Sequence, residues 1–410
     1  MKKLISILLI PLFLVSFSAC GKSKKAEGQN VFGDFNNTFA YNYAMSTAAE
    51  SEDAIYWRSY TGKYIHYYDK KTGESGVLCP KPECVHDAVL DNTGCSGYVV
   101  DCDPCMSFYN GRLYFKNRDP LGGRRDAIMS VAADGTDLKK EFSVPAMKEL
   151  GGSPVAFFLH RDALFILVFV DEVDGALPDW GYRIVRLSPK NEEMETVFEK
   201  TTTLHNQCHM RFRGDRLYIC LSEYTSMEGA VFNGFYYWDE NTGKLNTVLE
   251  TEHESGSGMF IDFGFYVDEK GTIYFSPNRT VINSDESGVV YKVENGELKE
   301  AFRIEIPGLD HFTVNIGNDA AVVMYNYEFW VYDLNGDRVF RGGPTYLDFL
   351  GEYGLNRSQI AHEHGYYCRD YMIESIDGTN AHNMNYEFMV KYDFTDDGLV
   401  TTLLGSEIVE

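Results

Sequence analysis

The sequence predicts an all-β protein, a β-propeller of seven four-stranded blades, with six or eight as the neighbouring counts. Three observations lead there. Short runs rich in Val, Ile, Tyr and Phe are broken by Gly, Asn and Asp. Two turn-centred units recur seven times each and alternate strictly. Helical spacing is nowhere sustained; Ala132 to Leu150 comes nearest, and Gly and Pro interrupt it.

The first unit is a turn feeding a strand: "SEDAIYW" (51–57), "YNGRLYF" (109–115), "HRDALFI" (160–166), "RGDRLYI" (213–219), "DEKGTIYF" (268–275), "GNDAAVV" (317–323) and "HEHGYYC" (362–368). The second is a hairpin whose turn carries Asp, Asn or Gly: "YYDKKTGESGVL" (67–78), "VAADGTDLKKEF" (131–142), "RLSPKNEEMETVF" (186–198), "YWDENTGKLNTVL" (237–249), "YKVENGELKEAF" (291–302), "VYDLNGDRVF" (331–340) and "KYDFTDDGLVTTLL" (391–404). D-x-x-G and N-G turns join antiparallel strands because they supply the backbone geometry a hairpin needs. One unit of each kind roughly every 50 residues fits four-stranded blades around an axis. An array of two-sheet sandwiches is the rival use of the same strands. Residues 36–410 are assigned to the propeller, and the last strand or residues 31–43 are expected to close the ring.

The first 19 residues have the plan of an export signal. Lys2 and Lys3 precede an apolar run from Leu4 to Phe17, too short for a permanent span, and small Ser18 and Ala19 lead to Cys20. Residues 20–35 then form a polar tether. "FSAC" before Gly21 resembles the lipobox of bacterial lipoproteins, with Phe17 where that family usually has Leu. The resemblance implies lipidation of Cys20 and a chain anchored on the extracytoplasmic face of the cell membrane. An ordinary cleaved signal, with Cys20 as a passenger, is the alternative.

With 37 Lys+Arg against 61 Asp+Glu, the formal net charge is −24. Such a surface repels phosphate backbones and anionic headgroups, which argues against nucleic acid and against direct membrane adsorption. Cations, metal ions and neutral sugars remain as ligand classes.

Five of the nine cysteines fall in "LCPKPECVHDAVLDNTGCSGYVVDCDPC" (78–105), an enlarged loop between the first two blades. Cys79, Cys84, His86 and Cys95 follow the spacing C-x4-C-x-H-x8-C. Three thiolates and an imidazole suit a closed tetrahedral zinc site, which would cross-link a loop with little apolar content. The part of this segment up to Tyr98 resembles a signature of lipid-anchored propellers of Gram-positive anaerobes, in which the three cysteines and the histidine recur together. That resemblance favours joint ligation and implies no activity. "ADGTDL" and "IDGTNA" also resemble turns of TolB-type propellers. Disulfides are the competing chemistry, since export favours oxidation and eight cysteines remain without Cys20. Cys102 and Cys105 would pair with one another, or one of them with Cys95. Asp101 and Asp103 raise the thiol pKa around "CDPC" and disfavour a redox role. An iron–sulfur or other redox centre in this loop is a further alternative. Cys220 and Cys368 read as small buried hydrophobes.

Other histidines gather in the connectors between one blade's last strand and the next blade's first. His205, Cys208 and His209 ("HNQCH"), His253 and His311 are expected there, forming a ligand face with His86, while His66 and His160 read as structural. Trp180, Tyr224, Phe232 and Tyr371 lie near long loops and offer rings for stacking on a sugar. The functional expectation is a monomeric binding or scaffold module for an envelope protein, peptide or glycan, with structural zinc and no other cofactor. The alternative is an envelope-anchored hydrolase or lyase using His205, His209, His253 and His311 with Asp310 or Glu254. No G-x-S-x-G, H-E-x-x-H or phosphate-loop pattern occurs, and catalytic residues are not identified.

Overall fold

The computed structural model describes residues 48–409 except 59–61, 87–91, 101–105, 119–125, 162, 173–178, 189–192, 203–205, 225–229, 255–261, 279–287, 309–311, 326–327, 344–346 and 369. Cys20, the leader and the tether lie outside the described residues, as do His205, Asp310, His311, Cys102 and Cys105.

Seven sheets of four strands each follow one another along the chain, and every pairing within them is antiparallel between sequence neighbours. They form the seven blades of a propeller, spanning residues 48–77, 106–143, 153–202, 206–254, 262–303, 315–342 and 360–409. Strands are lettered A to D in chain order. The A strands of neighbouring blades touch, as Ala48–Glu50 does Met106–Tyr109 and Asp262–Val267 does Asn315–Gly317, so A lies innermost. Among the described residues, helix is confined to Met147–Leu150 and two short 3-10 turns, and no helix is long and apolar enough to cross a membrane.

Local chemistry explains the hairpins. All seven hairpin units of the sequence are turns between strands C and D, and six of the seven turn-to-strand units join A to B. In "YNGRLYF" and "VENGEL" both turn residues are left-handed (Asn110 φ 48°, Gly111 φ 76°; Asn295 φ 55°, Gly296 φ 76°), the backbone that matches strand twist. The exception is "HEHGYYC", which lies mostly within strand A of blade 7 (Ile360–Tyr367); the real A-to-B turn follows, where Cys368 N–H donates to the Tyr371 carbonyl at 2.9 Å.

The core is seven inter-blade layers, one between each pair of neighbours, closing the circle. Strand B of blade 3 (Ala163–Glu172) shows how. Its Phe165 and Leu167 pack toward blade 4, while Leu164, Ile166 and Val168 pack with Ile128 and Phe142 of blade 2. A strand buried on both faces needs apolar residues at every position, hence the unbroken run "ALFILVFV". The register between strands C and D shifts by one residue near mid-strand in blades 2 to 7, a recurrent bulge that bends the outer strand.

The last strand does not close the ring by joining blade 1, and residues 31–43, the other expected closure, lie outside the described residues. Blade 1 is built wholly from residues 48–77 and blade 7 wholly from 360–409, so among the described residues no strand is shared between them. Closure rests on side chains. Trp57 and Ile55 pack with Ile373, Met389 and Leu404. Tyr371 donates its hydroxyl to Glu50 Oε2 at 2.6 Å, and Lys70 Nζ holds Glu50 Oε1 at 2.5 Å. His66 Nε2 meets Glu407 Oε2 at 3.3 Å. Glu50 is buried, so Glu50→Ala removes the carboxylate that Tyr371 and Lys70 share, while Lys70 keeps the Ser51 carbonyl at 2.7 Å. Because Lys70 remains partly wet, the expected loss is about 2 kcal/mol, below the 3–5 of a fully buried pair, read by urea unfolding.

Candidate metal centre

The connector from blade 1 to blade 2 is tied to blade 1 by backbone. Ile65 N–H donates to Gly97 O at 2.8 Å, Val99 N–H to Lys63 O at 2.8 Å and Leu78 N–H to Ile65 O at 2.8 Å, and Tyr64 bridges Tyr98. Residues 97–99 thus run beside the start of strand C. Gly97 permits this approach, since a Cβ there would fall 2.7 Å from the Leu78 carbonyl oxygen. Tyr64, Tyr98 and Cys95 form a small buried cluster under the loop, with Val77, Cys79 and Cys84 against it.

On this base the four expected ligands converge. One donor atom from each of Cys79, Cys84, His86 and Cys95 lies within 4.8 Å of the others. Donors around a tetrahedral zinc stand about 3.8 Å apart, so closing the shell asks for movements of about 1 Å. Short-range bonds hold the loop in register for this. Asn92 Nδ2 donates to Cys84 Sγ at 3.3 Å and to Val85 O at 2.8 Å, and Lys81 Nζ donates to Gly94 O at 2.6 Å. The ring of Tyr64 meets His86 edge-on, centroids 5.4 Å apart.

Electrostatics differ along the set. The Asn92 hydrogen bond holds the Cys84 thiol below its ordinary pKa. Burial pushes Cys95 up to about 12, with the neighbouring Cys79 adding to it. Burial and nearby His66 lower His86, so its imidazole is neutral and a ready ligand at neutral pH. Three thiols this close resist ionising together without a cation between them. Cys79, Cys84 and Cys95 are all free thiols in the structure, and so are Cys208, Cys220 and Cys368. The contacts of Asn92 with Cys84 and of Tyr64 with His86 were not legible in the sequence; "NTGC", an Asn three before Cys95, was the available signal.

The expected histidine face fares otherwise. Cys208 and His209 lie in strand A of blade 4 (Asn206–Arg213), not in a connector, and both are buried. Cys208 faces blade 3 with Met210 and Phe212, whereas His209 stacks on Phe263 of blade 5 at 4.1 Å. The alternation Cys-x-Met-x-Phe was the overlooked strand signal. Backbone register places His253 in strand D of blade 4 (Lys244–Glu254), again not in a connector, and Trp180 at the start of strand C of blade 3 (Asp179–Leu187). Cys208 and Cys220 sit on adjacent strands but pack into different inter-blade layers, so they face opposite ways. Phe232 is covered by the Lys200 ammonium, 3.7 Å from its centroid.

Burial lowers His209 to about 3, so it stays neutral in the fold while its unfolded counterpart protonates near 6.5. The unfolded state then binds more protons, and stability falls as pH drops from about 6.5 toward 3. NMR of the His209 ring is expected to show no titration between pH 5 and 8; a midpoint near 6.5 would return it to the list of acid–base groups.

No family model matches this chain, and no curated protein matches it. Among solved structures it is similar to the β-propeller domain of the Trilobed protease from Pyrococcus furiosus, at 11% identity and TM-score 0.45 over 90% of this chain and 97% of that one. It is similar also to Pyrococcus horikoshii acylaminoacyl peptidase, at 11% identity and TM-score 0.47 over 90% of this chain and 53% of that one. The chain thus spans about half the length of that peptidase. These likenesses concern the fold.

Proposed function

We propose that this chain is an extracytoplasmic binding module, a monomeric propeller held to the membrane by lipid on Cys20. Its connector between blades 1 and 2 would be cross-linked by zinc through Cys79, Cys84, His86 and Cys95. The observation that carries this reading is the convergence of all four donors on one loop already hydrogen-bonded to blade 1. A disulfide would join two of three neighbouring thiols and leave the third and the histidine without a role; a metal uses all four. With four protein ligands the shell is closed, so zinc would supply a cross-link and no open position for a substrate.

The cross-linked loop would hold a recognition surface rigid. Val85, between two ligands, is 64% exposed, and an apolar side chain so placed on a fixed backbone fits a contact with an envelope protein. The test is a photo-cross-linking residue at position 85 in cells. A single dominant adduct, lost when His86→Ala releases the loop, supports the reading. Absence of any adduct, or the same adduct from the zinc-free variant, overturns it.

A further inference from the structure

Three thiols in one small space can do more than hold a metal. The Sγ atoms of Cys79, Cys84 and Cys95 lie within 4.8 Å of one another, and all three are free. Their settings differ. Cys95 is 1% exposed and held by backbone, its N–H donating to Asn92 O at 2.9 Å and its carbonyl accepting from Tyr98 N–H at 3.2 Å. Cys79 follows Leu78, which is itself hydrogen-bonded to Ile65 of blade 1. Cys84 instead belongs to an arm, residues 80–86, in which every other residue is exposed. Side chains join this arm to the segment carrying Cys95: Lys81 Nζ reaches Gly94 O at 2.6 Å, and Asn92 Nδ2 reaches Val85 O at 2.8 Å. Asn92 Nδ2 also donates to Cys84 Sγ at 3.3 Å, a bond that favours the thiolate. Cys84 thus combines access to solvent with a stabilised thiolate, and two further thiols on fixed backbone stand beside it.

That arrangement suits a two-electron oxidation by hydrogen peroxide. The Cys84 thiolate attacks the O–O bond, taking one oxygen as sulfenic acid and releasing the other as hydroxide. A neighbouring thiolate, Cys79 or Cys95, then attacks the Cys84 sulfur, forms the S–S bond and expels a second hydroxide. The two sulfurs supply the two electrons that reduce the peroxide. The gap to close is at most roughly 2.8 Å, the difference between the observed spacing and a disulfide bond. What remains, one thiolate and the exposed His86, is half a zinc shell. We propose that the connector between blades 1 and 2 is a thiol switch, in which peroxide joins Cys84 to Cys79 or Cys95, expels the zinc and frees the arm that presents Val85. The switch rests on the zinc reading of the same four residues and adds a way of turning that surface off. Apart from Cys84, no residue of the arm is buried even in part, so losing the metal loosens it.

The test uses the full chain, purified anaerobically and assayed first for zinc. Hydrogen peroxide is then added, a colorimetric chelator follows the metal released, and mass spectrometry of proteolytic peptides maps the disulfides. The expected result is a fall from about one bound zinc to none, with Cys84 in a disulfide to Cys79 or Cys95. Dithiothreitol with added zinc should reverse it. Cys84→His should keep the metal, since two thiolates and two imidazoles also close a zinc shell, and should retain it through the same treatment. Peroxide that leaves zinc bound, or releases it with Cys84 outside any disulfide, overturns the switch while leaving the zinc cross-link standing. Release from Cys84→His at the wild-type rate does the same. A chain without zinc before peroxide is added overturns both. If Cys84→His takes up no zinc, the disulfide map of the unmodified chain decides.

Discussion

If Cys79, Cys84, His86 and Cys95 hold zinc as proposed, replacing Cys95 with serine should take the chain from about one bound zinc to none and release the connector between blades 1 and 2. The size of the effect follows from linkage. Zinc at a thousand times its Kd stabilises the folded loop by about 4 kcal/mol, all of which the variant forgoes. Cys95 is also buried at the base of the loop, so the substitution disturbs packing as well. His86→Ala separates the two contributions. His86 is exposed, and its removal should cost the metal while leaving the Tyr64 and Tyr98 layer largely intact. Elemental analysis and thiol titration of anaerobically purified protein read both variants. Zinc retained by Cys95→Ser, or a wild-type chain with oxidised thiols and no metal, would replace the zinc cross-link with a disulfide. Proton linkage has a definite sign here. Metal must displace protons from Cys79, Cys84 and Cys95, the last pushed up to about 12 by burial, so zinc affinity is expected to fall as pH falls.

Phe329→Ala should cost about 3–5 kcal/mol, the range for emptying a buried aromatic site. Phe329 is fully buried in strand C of blade 6 (Glu328–Asp333). Its ring lies 5.1 Å from Tyr392 and 5.5 Å from Phe394, both on blade 7, so the cavity opens between blades and not within one. If the seven layers are the cement of the ring, one chemical-denaturation transition moves to lower denaturant with its slope unchanged. A loss below 1 kcal/mol, or a separate early transition for blades 6 and 7, would show that the blades stand independently.

How much of this was legible depended on how local the cause was. The C-to-D hairpins of six blades could be read because Asp or Asn followed within four residues by Gly encodes its own turn, whereas "SPKNEE" in blade 3 carries only Asn191. The A-to-B turn of blade 7 could not, since Cys368–Arg369–Asp370–Tyr371 carries no glycine or asparagine, and "HEHG" just before it imitates a turn. The donor set of the candidate metal centre was legible as spacing, because one short loop contains it. The fate of Cys208 and His209 in "HNQCH" was misread: both lie buried in a strand, and the ring that covers His209 is Phe263, more than fifty residues on. The recurrent bulge between strands C and D left no signature in residue type, being set by the bend an outer strand must take.

Sequence alone therefore determined the all-β class, the seven repeats, most of their turns and the spacing of Cys79, Cys84, His86 and Cys95, each a pattern of neighbours along the chain. Tertiary structure decided which histidines are buried and that, among the described residues, blades 7 and 1 meet through side chains. Those outcomes rest on pairs such as His66 with Glu407, 341 positions apart. No local preference couples such residues; they meet only because seven blades, each stabilised against the next by two-sided burial, bring the last beside the first.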